Sequence, residues 1–257
     1  MKIKRLAKDG NSIAFILEDV DVSYANAIRR VILSEVPTLA IEEVAFKENS
    51  SSFYDEIIAH RLGLVPIKTD LEIFNFKDNC ACKGKGCPSC TLKLTLSKKG
   101  PGTVYSNDLK SEDQKLGPVK GIPILKLGRG QKISLEATAI LGNGMTHAKW
   151  QSGIASYKYY PKIKITKECV VCEECINVCP RDVLKLSKGK VMVKDDKECI
   201  LCNACTDVCE YDAIKVKGNP HKFIFRVESS GALTPKEMLN KSCDIIQAKA
   251  RKLAELL

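Results

Sequence analysis

The stretch Cys169-Val170-Val171-Cys172-Glu173-Glu174-Cys175-Ile176-Asn177-Val178-Cys179-Pro180 returns thirty positions later as Cys199-Ile200-Leu201-Cys202-Asn203-Ala204-Cys205-Thr206-Asp207-Val208-Cys209-Glu210. Three thiolates at this spacing wrap one face of an iron–sulfur cube, and the fourth, three residues further on, ligates the other cube. The expected pairing is therefore crossed: Cys169, Cys172, Cys175 and Cys209 hold one [4Fe-4S] cluster, and Cys199, Cys202, Cys205 and Cys179 the second. Small and apolar neighbours such as Val170, Val171, Ile176, Val178, Ile200, Leu201 and Ala204 would shield the sulfides from water. Two structural zinc sites are the alternative reading of the same eight residues.

These eight belong to thirteen cysteines in a chain of 257 residues with a net charge of +10, 44% apolar and 28% charged. Such fractions argue against a disordered or membrane-spanning chain, and the length suits one large domain or two modest ones. The opening Met1-Lys2-Ile3-Lys4-Arg5 runs into Lys8, Asp9 and Gly10 instead of an apolar leader. No segment approaches the roughly 18 apolar residues of a membrane helix, so a cytoplasmic protein without membrane contact is expected. In that reducing compartment the cysteines point to metal, not disulfides. The excess positive charge is mostly scattered lysine. It suits a nucleic-acid surface, an acidic partner or an offset to anionic metal centres alike.

Upstream of the repeats, Cys80, Cys82, Cys87 and Cys90 share a loop with Gly84, Gly86 and Pro88. Four thiolates within eleven residues suit a tetrahedral zinc knuckle, with glycines letting the backbone fold around the ion. An unmetallated reduced loop and a reactive dithiol are the alternatives. The remaining Cys243 reads as a small buried hydrophobe.

Further outward the pattern alternates between strand and helix. Ile3 to Leu17 reads as two strands joined by Lys8-Asp9-Gly10-Asn11. Val22, Ala25, Ile28, Ile32 and Val36 make a helical face, opened by Asp21 and stopped by Pro37. Thr38 to Phe46 reads as a strand, Phe53 to Leu62 as a helix ended by Gly63, and Leu92 to Leu96 as a strand. Pro123 to Leu127 and Lys132 to Ile140 flank Gly128-Arg129-Gly130 and are expected to pair as a hairpin. Phe223, Phe225 and Val227 return to strand. Thr234, Pro235 and Glu237 form a capping box that opens a helix running to the end. Its seam of Leu239, Cys243, Ile246, Ala250, Leu253 and Leu257 has heptad spacing, fit to pack on a partner helix or on this chain's own sheet.

No phosphate-binding loop, nucleophile elbow, dinucleotide fingerprint or His-Glu-x-x-His is present. The three histidines, His60, His147 and His221, read as structural, so no catalytic residue is expected.

Asn26-Ala27-Ile28-Arg29-Arg30-Val31-Ile32-Leu33-Ser34-Glu35-Val36-Pro37, His60-Arg61-Leu62-Gly63-Leu64-Val65-Pro66-Ile67, and Phe223 to Thr234 with the helix after it resemble one family across nearly the whole chain. It is the family that unites the archaeal D-type component of RNA polymerase, the eukaryotic third-largest subunit and the bacterial α N-terminal domain. The segment 166–215 resembles bacterial two-cluster ferredoxins, an insertion that some archaeal members carry. The resemblance implies an α+β fold: a discontinuous dimerisation domain, 1–46 plus 221–257, interrupted by a β-rich insert domain, 47–165 plus 216–220. The insert would carry the loop 80–90 and, in turn, be interrupted by the ferredoxin-like domain. It also implies a non-catalytic assembly subunit of DNA-directed RNA polymerase. Such a subunit pairs with subunit L through the Val22 to Val36 helix, with Ile28 and Ile32, and through the C-terminal seam. Subunits N and P and the large subunits, which hold the nucleotidyltransferase chemistry, would complete the platform, with DNA touched only indirectly. In the eukaryotic pattern three residues, not four, separate the cysteines equivalent to Cys82 and Cys87. The alternative function is a ferredoxin-type electron carrier or electron-transfer subunit, which leaves some 200 residues without a role.

Overall fold

Gly10, at φ +33°, turns the chain from β1 (Lys2–Asp9) into β2 (Ser12–Glu18), as the hairpin residues require. The computed structural model describes residues 1–113 and 115–257. After the hairpin come α1 (Val22–Ser34), β3 (Thr38–Asn49), α2 (Asp55–Gly63), β4 (Thr91–Lys99), β5 (Gly102–Tyr105), β6 (Lys110–Ser111), β7 (Pro123–Leu127) and β8 (Lys132–Gly142). Then follow β9 (Gly153–Ile165), α3 (Glu174–Asn177), β10 (Leu184–Ser187), β11 (Lys190–Val193), α4 (Ala204–Asp207), β12 (Ile214–Ser229) and α5 (Pro235–Glu255).

These elements fall into two compact units, each assembled from distant pieces of chain. The first comprises Met1–Lys8, Ala14–Asn26 and Ser156–Arg226. Its sheet runs in the order β1-β2-β12-β9, so strands from the two ends of the chain lie side by side. Phe15 of β2 stacks on Phe225 of β12 with ring centroids 5.4 Å apart, and Tyr157 of β9 stacks on Phe225 at 5.6 Å. Three adjacent strands thus present aromatic rings to one face, the geometry in which such rings add to plain burial. The cysteine repeats hang from this sheet between β9 and β12, with the hairpin β10-β11 between them.

The second unit comprises Asp9–Ile13, Ala27–Ala155 and Val227–Leu257. Its larger sheet has the order β3-β8-β4-β6, and β5 and β7 form a second, two-stranded sheet. A core of Leu39, Ile58, Leu62, Ile67, Leu94, Leu96, Ile124, Leu127 and Leu135 lies within this unit. The His60 to Ile67 stretch serves it: Leu62, Val65 and Ile67 are buried, and Ile67 bridges Leu39 and Pro118. Arg61 lays its guanidinium over Phe53, 5.0 Å from the ring centroid, and donates from Nη1 to the Ile124 carbonyl at 2.6 Å. Gly142 admits the Trp150 ring, which would lie 2.4 Å from a Cβ placed there.

One expectation of local pairing is corrected. The Gly128-Arg129-Gly130 turn forms, with Gly130 at φ +77°, yet β7 and β8 do not pair with each other. β8 spends both of its edges on β3 and β4, from Thr38 opposite Gly142 and from Thr91 opposite Ile140. The turn therefore hands the chain from one sheet to another, and β7 pairs with β5. β3 also runs to Asn49, past the expected end at Phe46, and shifts register between Ile41 and Glu43 and between Phe46 and Glu48. Among the described residues no helix is long and apolar enough to cross a membrane.

Candidate metal centres

None of the thirteen cysteines is joined to another by a disulfide. The loop from Cys80 to Cys90 is shaped by Lys83, Gly84 and Gly86, each at positive φ, and by N–H bonds from Lys83 to the Cys80 carbonyl and from Lys85 to the Cys82 carbonyl. A Cβ at Gly84 would meet nothing within 4 Å, so that glycine is needed for its φ of +79° alone. The second half closes by Cys90 N–H donating to the Cys87 carbonyl at 2.9 Å and Cys87 N–H to the Cys90 sulfur at 3.3 Å. The four sulfurs converge: Cys80 to Cys87 is 3.5 Å, Cys82 to Cys90 is 3.6 Å, Cys87 to Cys90 is 3.8 Å, and all lie within 4.8 Å of one another. Sulfurs 2.3 Å from the centre of a tetrahedron stand about 3.8 Å apart, so the group is shaped to hold one tetrahedral metal ion.

Its electrostatics suit a cation. Burial works against ionisation of Cys82, but hydrogen bonds from Cys90, the Gly86 N–H, Cys80 and Cys87 outweigh it and bring the thiol down to about 6. Burial pushes Cys90 up to about 12. The set thus favours one thiolate, and a metal must displace the protons that remain.

The two repeats have matching backbones. Val171 and Leu201, Glu173 and Asn203, and Asp182 and Asp212 stand at φ between +47° and +66°, each pair thirty residues apart. A branched residue such as Val171 adopts that conformation only when its surroundings hold it there. The hydrogen bonds repeat as well: Ile176 N–H to the Glu173 carbonyl corresponds to Thr206 N–H to Asn203, and Val183 N–H to the Cys179 sulfur to Ala213 N–H to Cys209.

Two cavities open beside these loops. One has Cys169, Cys172, Cys175 and Cys209 in its wall with Val191 and Ile214. The other has Cys179, Cys199, Cys202 and Cys205 with Leu184 and Val216. Burial pushes the Cys175 thiol up, and thiolates at Cys169 and Cys172 would push it further. Burial does the same at Cys205, where the added charge comes from Cys199, Cys179 and Cys202. The local core beneath buries Cys175, Leu184, Val191 and Ile214, with Ile163, Ile165, Val171, Ile176 and Val193 partly buried against them. Cysteines make up part of that core, the circumstance in which a small fold gains from a metal or a cross-link. A donor set of eight thiols around two apolar cavities fits two soft, sulfide-containing centres.

The sequence pattern that defines the RNA polymerase Rpb3/Rpb11 dimerisation domain matches residues 14–250. The chain belongs to the Rpb3/Rpb11 family. Similar proteins include the DNA-directed RNA polymerase subunit Rpo3 of Methanothermobacter thermautotrophicus, 46% identical over 98% of this chain and 97% of that protein. The subunit of the same name from Archaeoglobus fulgidus is 42% identical over 100% of this chain and 97% of its own length. That of Pyrococcus furiosus is 38% identical, again over 100% and 97%. The matched span encloses the Cys80 to Cys90 loop and both repeats.

For an Rpb3/Rpb11 chain the C-terminal helix is the second place of interest. Thr234 caps α5 as expected: Glu237 N–H donates to Thr234 Oγ1 at 3.3 Å, and Thr234 N–H to Glu237 Oε2 at 2.7 Å. Within the chain α5 buries Pro235, Met238 and Ser242, and Lys249 pairs with Glu35 at 2.6 Å. The heptad seam lies on another stripe. Leu239 and Ile246 are half-buried, and Cys243, Ala250 and Leu253 are exposed, Leu253 at 61%; the helix, expected to run to the end, stops at Glu255, so Leu257 lies past it. The seam is therefore not consumed by this chain's own sheet. Cys243, expected to be buried, is corrected to exposed, because the face that docks is set by Met238 and Ser242, one residue out of phase with the seam. Ile28 and Ile32 of α1 lie in the interior of the chain.

Proposed function

We propose that this protein is the assembly subunit of an archaeal DNA-directed RNA polymerase. Similarity to Rpo3 subunits along the whole chain carries the reading. The chain itself supplies no nucleotidyltransferase residues. Its part is structural: the exposed seam of α5 packs against the matching helix of the smaller partner, subunit L, and the pair is the platform for subunits N and P and the large subunits. DNA contact is indirect, and the location is the cytoplasm with the rest of the polymerase. The discontinuous dimerisation domain would take its parts from 1–46 and 221–257, and the juxtaposition of β1 and β2 with β12 supports that discontinuity.

The metal sites are assigned in the same reading. Cys80, Cys82, Cys87 and Cys90 hold Zn²⁺, supported by sulfur spacings close to a tetrahedron's edge. Each cavity beside the repeats holds a [4Fe-4S] cluster on the crossed cysteine set, supported by the way the two cavity walls divide the eight thiols. Bound there, the clusters would cross-link a segment whose small core includes the cysteines themselves. Stabilising this segment, and so favouring heterodimer formation, is their role in this reading. An electron-carrier role has the same cysteines in its favour but leaves the second unit and α5 without a task.

The test is to tag the full-length chain in its native host, purify it without oxygen and identify what accompanies it. Recovery of the large polymerase subunits and a small Rpb11-type partner is expected. Recovery with a dehydrogenase or hydrogenase and no polymerase would replace this reading with the electron-carrier one.

A further inference from the structure

The two cysteine repeats match in backbone but differ in how their first cysteine is held. Cys169 follows β9 within four residues of its end at Ile165, and Thr166 N–H is tied to the Ala213 carbonyl at 2.8 Å. Main-chain hydrogen bonds therefore fix that approach. The strand before Cys199, β11, is short and ends six residues away at Val193, where Lys194 N–H is likewise tied to the Val183 carbonyl at 2.7 Å. The single turn Asp196–Glu198, begun by Lys197 N–H donating to Asp195 Oδ1, intervenes, and Cys199 emerges from that turn.

What holds that turn comes from the neighbouring strand. Lys158, half-buried in β9, donates from Nζ to the Lys197 carbonyl at 2.6 Å and to the Cys199 carbonyl at 3.0 Å. Tyr160, two residues on and so on the same face of the strand, donates its hydroxyl to Asp196 Oδ1 at 3.0 Å. An ammonium has three donors and no acceptor, so two carbonyls converging on it are held at one point, and hydrogen bonds from a charged donor are the stronger kind. Leu201 N–H, in the next peptide, donates to the Cys199 sulfur at 3.5 Å, so the Cys199 carbonyl and sulfur are each held by a hydrogen bond. Arg181 pairs with Glu198 on the other side of the turn, but both groups are half exposed and screened by water.

We propose that Lys158 is the positioning residue of the second cysteine site: it presents Cys199 to the cluster held by Cys179, Cys202 and Cys205, and it has no part in the first site. The two clusters then differ in what they depend on, despite their shared spacing. The inference rests on the iron–sulfur reading above and adds a side chain outside both repeats to it.

The experiment uses the full-length chain with its polymerase partners, isolated without oxygen, and reads iron and acid-labile sulfide per chain together with the EPR spectrum after dithionite reduction. Lys158→Met is combined with Cys172→Ser, which disables the first site, and with Cys202→Ser, which disables the second. Lys158→Met alone is expected to lose about half of roughly eight iron atoms, two cubes of four, and to give the spectrum of Cys202→Ser. In the Cys202→Ser background it should remove nothing further, in the Cys172→Ser background nearly everything, and Lys158→Arg should restore the full content. Full iron and an unchanged spectrum in Lys158→Met would overturn the proposal. So would equal loss from both sites, which is what a side chain that merely supports the fold would cause. Absence of acid-labile sulfide from the unsubstituted protein would overturn the cluster reading itself, and is told apart because it needs no variant to be seen.

Discussion

Leu253 offers the sharpest test of the role assigned to α5. It is 61% exposed in the isolated chain, so truncating it to alanine removes little packing that the chain's own fold uses. Fully burying a leucine side chain gains about 1.5–3 kcal/mol, and the exposed share left for a partner to cover is worth about 1–2 kcal/mol. At 1.4 kcal/mol per factor of ten, Leu253→Ala should weaken the heterodimer by roughly 5- to 25-fold. Leu253→Glu should weaken it by roughly 100-fold or more, because a carboxylate would be desolvated without a partner charge. Titration calorimetry or sedimentation with the small Rpb11-type subunit measures the first quantity, and urea unfolding of the chain alone measures the second. The expected signature is a large change in association with an unfolding midpoint almost unmoved. If association is unchanged, or if the midpoint of the isolated chain falls by as much as association weakens, the seam is not the partner face.

Other outcomes follow from the same geometry. Cys90→Ser should remove one bound zinc per chain, seen by metal analysis, since the remaining three thiols cannot close the tetrahedron. Zinc affinity should fall with pH throughout the neutral range, because thiols such as Cys90 must lose protons to bind, and fall more steeply below about 6, where Cys82 also takes up a proton, which a chromophoric chelator can follow. Cys172→Ser and Cys202→Ser should each lower the melting temperature and the heterodimer yield; equal values to the unsubstituted chain would refute a stabilising role for the clusters. Asp108 is opposed by burial, but the Lys98 ammonium and the Tyr105 N–H overcome this and hold its carboxyl below the usual range. Its stabilising contribution is therefore present above about pH 4, the unfolded carboxylate's pKa, and lost as pH falls through the lower folded value. Asp108→Asn should flatten that part of the acid unfolding curve.

What can be read along the chain is whatever local rules govern. Gly10 at a left-handed turn, the helix that begins at Val22 and ends at Ser34, two residues short of the expected Val36, and the Thr234 capping box each depend on residues a few positions apart. The cysteine spacing belongs to the same class, because a tripeptide-scale loop determines which thiols can share a centre. Pairings between distant segments are not legible in this way. Nothing near Gly128 says that β8 has already committed both edges to β3 and β4, so a good turn reads as a hairpin. Lys158 escapes notice for the same reason: one lysine among many in a strand carries no signal until the turn before Cys199 lies against it, some forty residues further on. Helix periodicity shows that α5 has an apolar seam, but only docking of Met238 and Ser242 decides that the seam, Cys243 included, is left exposed. The sequence by itself therefore determined which cysteines stand close together along the chain and the kind of helix, through short-range geometry. Which strands pair, which face of α5 remains for a partner and which side chain steadies the second cysteine site were decided by tertiary structure, because these depend on the competition of distant segments for the same hydrogen-bonding edges and the same apolar surface.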